Sequence, residues 1–532
     1  MDAVMEHTRL EIKIPADTWW DVIQQHASNH PDRPAFLYQD QKISYEEFVD
    51  LVDQCAQSMR QRGIRKGDCI ALLSPPRPEA MITFFAAARI GAVWVGLNPK
   101  YKIRELSYVI SHAQPVMVMT IRSFEDRDYQ DDLQIVLNEL EQQQKRPDLL
   151  VFDGDSDDDM SLLNMLAEGC NEGSALANTP MQYNPDDPCM LVYTSGTTGN
   201  PKGVLLSQTA LLFRSTVQAN VFHTKDYPVV INFAPINHIG GMHFRGLSQI
   251  LAGASIVYQD RYRPAEIMPL ITRHKVNMLM LGSTMLQMLL REPSFDITIL
   301  RKMEWFIFSG AAMPLPILQR IKQYCPKVGS TYGLTESCGS VSYIDENASM
   351  DAAAYTIGRA IPSGQLRIVN GDQQVLAQGQ QGELQIRKRY CMTAYLRNEQ
   401  ATVDAFTPDG WLRTGDTAVQ ETDGNFRLVG RMKEMYKSGG YNIYPREIEL
   451  VLEQHPKVLM AAVIPVDDEL YQQVGHAYLI YKPNETLSEN EMAQWCRERL
   501  ANYKVPKRIF LHSSLPMLSI GKVDKIALRS LN

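Results

Sequence analysis

Residues 193–204 read YTSGTTGNPKGV, and they follow the apolar run CMLVY at 189–193. Cys189 to Tyr193 predicts a short buried strand. The strand runs into Thr194, Ser195, Gly196, Thr197, Thr198 and Gly199, then Asn-Pro, Lys202 and Gly203. Hydroxyls and glycine-exposed backbone N–H groups form a concave donor surface suited to phosphate oxygens. Gly196 and Gly199 permit close backbone approach, and Lys202 adds a mobile positive charge. This is not a Walker A loop, which needs G-x-x-x-x-G-K-[ST]; here Lys202 follows Pro201 and precedes Gly203. A P-loop kinase fails on that spacing.

Outward from this loop, helical and strand patterns alternate. Residues 44–62 (SYEEFVDLVDQCAQSMRQR) carry apolar residues at helical spacing, and Ser44 with Glu47 makes a capping box. Gly63 ends that helix. Strands are expected at 69–73 (CIALL) and 92–96 (AVWVG), with a helix at 79–90 between them. Such alternation predicts an α/β architecture with parallel sheets covered on both faces. A second sheet-and-helix block runs from about 187 to 343. After Gly358, GQLRIV, GELQIR and GNFRLVG predict a small β-rich subdomain. Beyond Lys433 the pattern is compact α+β: helix 445–454, strands 458–464 and 475–482, helix 487–501. The domain boundary falls at Arg431–Lys433, giving domains 1–431 and 432–532. Residues 153–159 (DGDSDDD) and 171–185 read as surface loops.

Composition narrows the function classes. The chain has 532 residues, 45% of them apolar and 21% charged, so a large buried core is available. Lys plus Arg is 53 and Asp plus Glu is 61, a net charge of −8, which argues against a nucleic-acid partner. The eight cysteines include no C-x-x-C pair, as expected of isolated thiols in a reducing cytosol. The first residues lack the apolar core of a signal peptide. The most apolar stretch, 81–97, is broken by Arg89 and two glycines. A soluble cytoplasmic protein without an integral membrane segment is expected, monomeric or homodimeric.

The run at 193–204 resembles the phosphate-binding signature of the adenylate-forming superfamily: acyl-CoA synthetases, peptide-synthetase adenylation domains and beetle luciferases. Further motifs follow in the order that the resemblance implies. Tyr332-Gly333-Leu334-Thr335-Glu336 matches the motif whose aromatic ring stacks on adenine, whose Thr touches the α-phosphate and whose Glu holds Mg²⁺. A hard carboxylate is what Mg²⁺ beside phosphates requires. Thr414-Gly415-Asp416 resembles the ribose-binding motif, and Gly430-Arg431 the next piece. In RMKEMYKSGGYNIYP at 431–445, Lys433 stands at the hinge, Lys437 and Asn442 where residues assist adenylation, and Gly439 and Gly440 against the pantetheine tunnel. PMLSIGKVDK at 516–525 maps the catalytic lysine onto Lys522 rather than Lys525. The resemblance spans roughly residues 30 to 528.

The implied fold is a large N-terminal domain of two helix-covered sheets with a β-rich subdomain, followed by a small mobile α+β domain. The implied chemistry is carboxylate activation by ATP with Mg²⁺ through an acyl-adenylate, then thioester formation on coenzyme A or an acyl carrier protein phosphopantetheine. His238, in PINHIGGMH, falls beside the acyl carboxylate, and His243 reads as core or surface. The acyl pocket is expected at His238, Gly240, Gly241, Gly282, Ser309, Gly310, Ala311 and Thr331. No carboxylate occurs in Pro235-Ile236-Asn237-His238, which disfavours an α-amino acid. Gly240 and Gly241 leave space, and Met242, Met285 and Met288 offer adaptable apolar surface. A medium- or long-chain fatty acid is expected, with an aryl or alicyclic acid second and a stand-alone carrier-protein ligase as the alternative. A non-catalytic binding member is disfavoured because Lys202, Glu336, Asp416, Arg431 and Lys522 are all present. A luciferase-like oxidase would share the adenylation step.

Overall fold

A computed structural model describes residues 13–141, 147–151, 184–194, 201–310, 312–438, 440–482, 485–517 and 523–530. Two large sheets carry the N-terminal portion. In the nine-stranded sheet, six strands run parallel in the order Lys327–Leu334, Trp305–Ser309, Met278–Leu281, Val229–Asn232, Ser255–Tyr258, Pro34–Tyr38. Antiparallel strands flank them, Gly339–Ile344 and Arg359–Ala360 on one side and Gln41–Ser44 on the other. In the seven-stranded sheet, Pro188–Thr194, Val93–Leu97, Cys69–Leu73, Met117–Thr120 and Asp148–Val151 are parallel. Lys202–Ser207 and Ala394–Tyr395 extend it antiparallel. The expected α/β architecture is therefore present.

Local sequence explains the main helices. Ser44 caps the helix Tyr45–Gln61: the Glu47 N–H donates to Ser44 Oγ at 3.2 Å and the Ser44 N–H donates to the Glu47 carboxylate at 2.7 Å. Gly63 follows with φ of +86°, where a Cβ would be strained. The helix Pro78–Ile90 has no polar face and is buried along nearly its whole length. Its Phe84 and Phe85 meet Trp94 of the seven-stranded sheet and Phe48 edge-on, and Phe48 meets Phe36 of the nine-stranded sheet. One core thus joins both sheets, each ring pair contributing about 0.5–1.5 kcal/mol beyond its buried area.

The β-rich piece is a four-stranded antiparallel sheet: Leu366–Val369, Gln381–Arg387, Trp411–Gln420, Phe426–Arg431. From Tyr436 onward a further sheet (Tyr441–Ile443, Tyr436–Ser438, Gln472–Tyr481, Val458–Asp468, with Arg508–His512) packs on helices Pro445–Glu453 and Glu489–Arg497. Its apolar cluster contains Tyr436, Ile448, Val463, Leu479 and Met492 and no residue from the larger sheets. The strand expected at 458–464 continues to Asp468, because residues 472–481 pair with it across a tight turn. The helix expected at 487–501 is shorter: Ser488 caps it at the start and it ends at Arg497. The seven described cysteines are free thiols, six of them buried. Among the described residues no helix is long and apolar enough to cross a membrane.

Candidate active site

The strand Pro188–Thr194 and the strand Lys202–Ser207 form a hairpin whose last pair is Thr194 opposite Lys202. Ser195, Gly196, Thr197, Thr198 and Gly199 lie outside the described residues. Thr194 and Lys202 are held opposite each other toward one side of the seven-stranded sheet. Lys202 Nζ lies 4.8 Å from the centroid of the Tyr395 ring, which the register Val204 to Tyr395 brings alongside. The Tyr395 hydroxyl donates to Glu336 Oε1 at 2.9 Å. Burial first, and then the Glu336 charge, push the Tyr395 phenol above its ordinary range, so it stays a neutral donor. Lys202 and Glu336, 134 positions apart in the chain, are thus linked through one tyrosine.

Glu336 stands on a tight turn after the strand Lys327–Leu334. Its carbonyl accepts from the Met392 N–H at 2.7 Å. Ser337 Oγ donates to the carbonyls of Leu334 and Gly339 and accepts from the Leu334 N–H at 2.8 Å. Gly333 is required here, since a Cβ would sit 2.1 Å from the Gly339 carbonyl oxygen. Thr335, beside Glu336, is buried.

A second cluster adjoins through the same strand. The Tyr332 hydroxyl donates to Asp416 Oδ2. Asp416 is 3% exposed, and its Oδ1 accepts from Arg431 Nε at 2.8 Å. Residues 416 and 431 are direct partners in the antiparallel pair that carries them. Thr414 Oγ1 accepts from the Asp416 N–H at 3.0 Å and donates to the Leu384 carbonyl at 2.6 Å. Gly415 turns with φ of +68°. Burial and the Asp416 charge hold the Tyr332 phenol well above its ordinary range. Burial works against the Arg431 charge, and Asp416 together with Tyr332, Glu434 and Glu336 more than offsets it. An ionised carboxylate held this way beside a half-exposed guanidinium can accept vicinal hydroxyls of a sugar.

No group of three or more His, Cys, Asp or Glu side chains among the described residues could hold a metal. Glu336 offers a hard-oxygen donor outside any such group among the described residues. That donor set fits a Mg²⁺ ion whose remaining ligands are phosphate oxygens and water, and does not fit an all-protein cage.

On the acyl side, His238 occupies a tight turn. Its N–H donates to the Pro235 carbonyl at 3.2 Å, and its Nδ1 accepts from the Gly240 N–H at 3.0 Å. Gly241 does not leave space, contrary to expectation: a Cβ there would sit 2.3 Å from the Pro235 carbonyl oxygen, so the glycine serves close backbone approach. Gly282 and Gly310 are open, with nothing nearer to a Cβ than the Ser309 carbonyl oxygen at 3.9 Å from Gly282. The Thr331 hydroxyl lies 2.6 Å from Ser340 Oγ. Ala311 lies outside the described residues. The three methionines do not share one environment: Met242 is sealed in the main core, Met285 is half-buried and Met288 is 48% exposed. His243 is core: it is 1% exposed, its Nε2 lies 3.1 Å from Ser215 Oγ, and burial pushes its pKa down to about 3.

In the C-terminal portion, Lys437 and Asn442 face each other across a hairpin and are exposed, as are Lys433 and Gly440. Gly439 and Lys522 lie outside the described residues. Lys525 is engaged structurally, its Nζ 2.8 Å from both Glu434 and Glu449.

Residues 23–396 match the model of the AMP-binding enzyme family, and residues 447–522 match the AMP-binding enzyme C-terminal domain. The chain belongs to the AMP-binding enzyme family. It is similar to an indoleacetate–CoA ligase of Aromatoleum aromaticum, 29% identical over 516 residues that cover 96% of this chain and 97% of that one. Among solved structures it is similar to ATP-bound MatB from Rhodopseudomonas palustris, with a TM-score of 0.85, 25% identity and 96% and 98% coverage. It is also similar to the o-succinylbenzoate coenzyme A synthetase MenE of Bacillus subtilis in complex with ATP and magnesium ion, with a TM-score of 0.78, 26% identity and 96% and 99% coverage.

Two residues of this AMP-binding enzyme escaped sequence reasoning. Tyr395 sits on a two-residue strand, too short for any periodic signal. Arg245 stands within PINHIGGMHFRGL, where no sequence signal marks it, and it is 6% exposed.

Proposed function

We propose that this AMP-binding enzyme is an acid–thiol ligase that activates a carboxylic acid with ATP and passes the acyl group to a thiol. The observation that supports it most is the double cluster in which Lys202, Tyr395 and Glu336 adjoin Tyr332, Asp416 and Arg431. A carboxylate oxygen attacks the α-phosphorus of ATP, pyrophosphate leaves, and the acyl-adenylate then loses AMP to the thiol. The obstacle is the approach of an anion to a polyanion, and preorganised positive charge in a site that excludes water is the largest available remedy. Thr194, Ser195, Gly196, Thr197, Thr198, Gly199 and Lys202 hold the β- and γ-phosphates. Tyr332 and Gly333 flank the adenine, Thr335 touches the α-phosphate, and Asp416 with Arg431 holds the ribose. Mg²⁺ at Glu336 supplies neutralising charge on the phosphates.

Lys522 bridges the acid carboxylate and the α-phosphate, and Lys437 and Asn442 assist. The domain of residues 432–532 swivels on 1–431 about Lys433, withdrawing Lys522 and presenting Gly439 and Gly440 to the thiol's path. His238 sits beside the acyl carboxylate, and Gly240, Gly282, Ser309, Gly310, Ala311 and Thr331 surround the acyl body. Coenzyme A is the favoured thiol, because the chain's similarity to a named CoA ligase extends over nearly its whole length; an acyl carrier protein is the alternative. A fatty, aryl or alicyclic acid supplies the acyl group, and the enzyme works in the cytoplasm as a monomer or homodimer. Pyrophosphate release across a panel of acids, with coenzyme A and acyl carrier protein offered separately, tests this. Acid-dependent release followed by thioester is expected; release that ignores the acid would overturn it.

A further inference from the structure

The His238 turn leads into Gly240–Leu247, which winds as a π-helix. That winding bonds residue i to i+5, so position 245 comes round to position 240. Arg245 Nη1 donates to the Gly240 carbonyl at 3.4 Å, while Nε and Nη2 reach the Met280 carbonyl at 3.3 and 3.1 Å. Met280 belongs to the strand Met278–Leu281, which runs directly into Gly282. The guanidinium thus spans the two segments proposed to wall the acyl pocket. A Cβ on Gly240 would come 3.0 Å from the His238 ring and 3.9 Å from Arg245 Nη1, so both side chains border the volume that this glycine leaves.

Arg245 is 6% exposed and pairs with no carboxylate among the described residues. Its other neighbours are the rings of Phe233 and Phe244, with centroids 5.4 and 5.5 Å from the guanidinium carbon. Carbonyl dipoles and ring faces offset part of the cost of burying a charge, but not all of it. Burial pushes its pKa down to about 10, which still leaves it charged at neutral pH. Of the other buried arginines, Arg89 meets the carboxylate of Asp53 at 2.7 Å. Arg214 also lacks one; its Nε donates to the Ser337 carbonyl at 3.1 Å, beside the Glu336 turn.

We infer that Arg245 selects an acid bearing a second carboxylate, one carboxylate lying beside His238 for activation and the other pairing with the buried guanidinium. This rests on the ligase reading and narrows it. A plain alkyl acid would leave the Arg245 charge with only carbonyl and ring partners, whereas a second carboxylate completes it with charge-assisted hydrogen bonds.

The test compares matched acids: hexanoate with adipate, octanoate with suberate, and 3-phenylpropanoate with 3-(2-carboxyphenyl)propanoate. Pyrophosphate release is measured for the wild type, Arg245→Met and Arg245→Lys. In the wild type the dicarboxylate of at least one pair should exceed its partner by about 10²-fold in kcat/KM, the loss expected when a charge-assisted hydrogen bond to a buried group is not made. Arg245→Met should lose that preference, activity on the dicarboxylate falling far more than on the monoacid, and Arg245→Lys should restore part of it. A wild-type preference for monoacids, or equal losses on both members of a pair, would overturn the inference with the ligase reading intact. If no acid releases pyrophosphate, the ligase reading falls. Thermal shift without ATP then decides the Arg245 site: a dicarboxylate should raise the wild-type midpoint but not that of Arg245→Met, and no such difference would overturn it.

Discussion

Replacing Tyr395 with Phe isolates one atom of the proposed phosphate and metal seat. The ring stays, so the contact with Lys202 at 4.8 Å is kept, and only the hydroxyl 2.9 Å from Glu336 is removed. A hydrogen bond to a charged group is worth about 1.5–3 kcal/mol. Tyr395 and Glu336 are both half-buried, so solvent replaces part of the loss and the lower end applies. That corresponds to roughly tenfold in an equilibrium constant. Pyrophosphate release titrated with Mg²⁺ should show a half-saturating concentration raised about tenfold, with the rate at saturating Mg²⁺ within about threefold of wild type, because the carboxylate remains and only its orientation is relaxed. Tyr395→Leu removes the ring as well; the lost cation–π contact, about 0.5–1 kcal/mol at a partly exposed site, should raise KM for ATP a further two- to fivefold. A Tyr395→Phe enzyme with the wild-type Mg²⁺ titration would refute the assignment of Glu336 to the metal.

Two other perturbations read different parts of the molecule. Asp416→Asn removes the charge that Tyr332 and Arg431 share, and KM for ATP should rise by about 10²-fold from weakened charge-assisted bonds. Ultraviolet titration should also find the Tyr332 phenol ionising at lower pH, since the Asp416 charge helps to hold it neutral. His243 concerns stability. Burial holds its pKa near 3, against about 6.5 in an unfolded chain. The unfolded chain therefore binds the proton first; the contribution is intact above about pH 6.5 and is lost as pH falls toward 3. His243→Asn should flatten the fall of unfolding free energy below pH 6.5 by up to about 1.4 kcal/mol per pH unit, the slope of one proton. Chemical denaturation from pH 7 to 4.5 checks this, and an unchanged slope would contradict it.

Local signals carried much of the architecture. The Ser44–Glu47 capping box, the apolar pentamers at 69–73 and 189–193, and Gly63 each have a direct physical consequence, and the corresponding elements appear in place. The approach of Tyr332 to Asp416 and Arg431 could be anticipated only from the motif order, because Tyr332 lies on a strand of the nine-stranded sheet and Asp416 and Arg431 on the separate four-stranded sheet. Tyr395 was illegible for a related reason: its two-residue strand gains meaning only by joining Lys202–Ser207, some 190 positions earlier. Arg245 was hidden because π winding has no visible period in eight residues, and an arginine amid apolar residues does not announce its own burial. Gly241 misled in another way. A glycine next to a pocket suggests room for ligand, but here the room is taken by the Pro235 carbonyl.

The central proposal is that Lys522 neutralises charge during adenylation and is withdrawn before thioester formation. The most direct measurement assays the two half-reactions separately in Lys522→Ala. The account predicts that ATP–pyrophosphate exchange falls by about 10²–10³-fold, as when one preorganised donor is lost, while preformed acyl-adenylate still reacts with the thiol at close to the wild-type rate. Equal loss of both half-reactions, or exchange left at the wild-type rate, would contradict it.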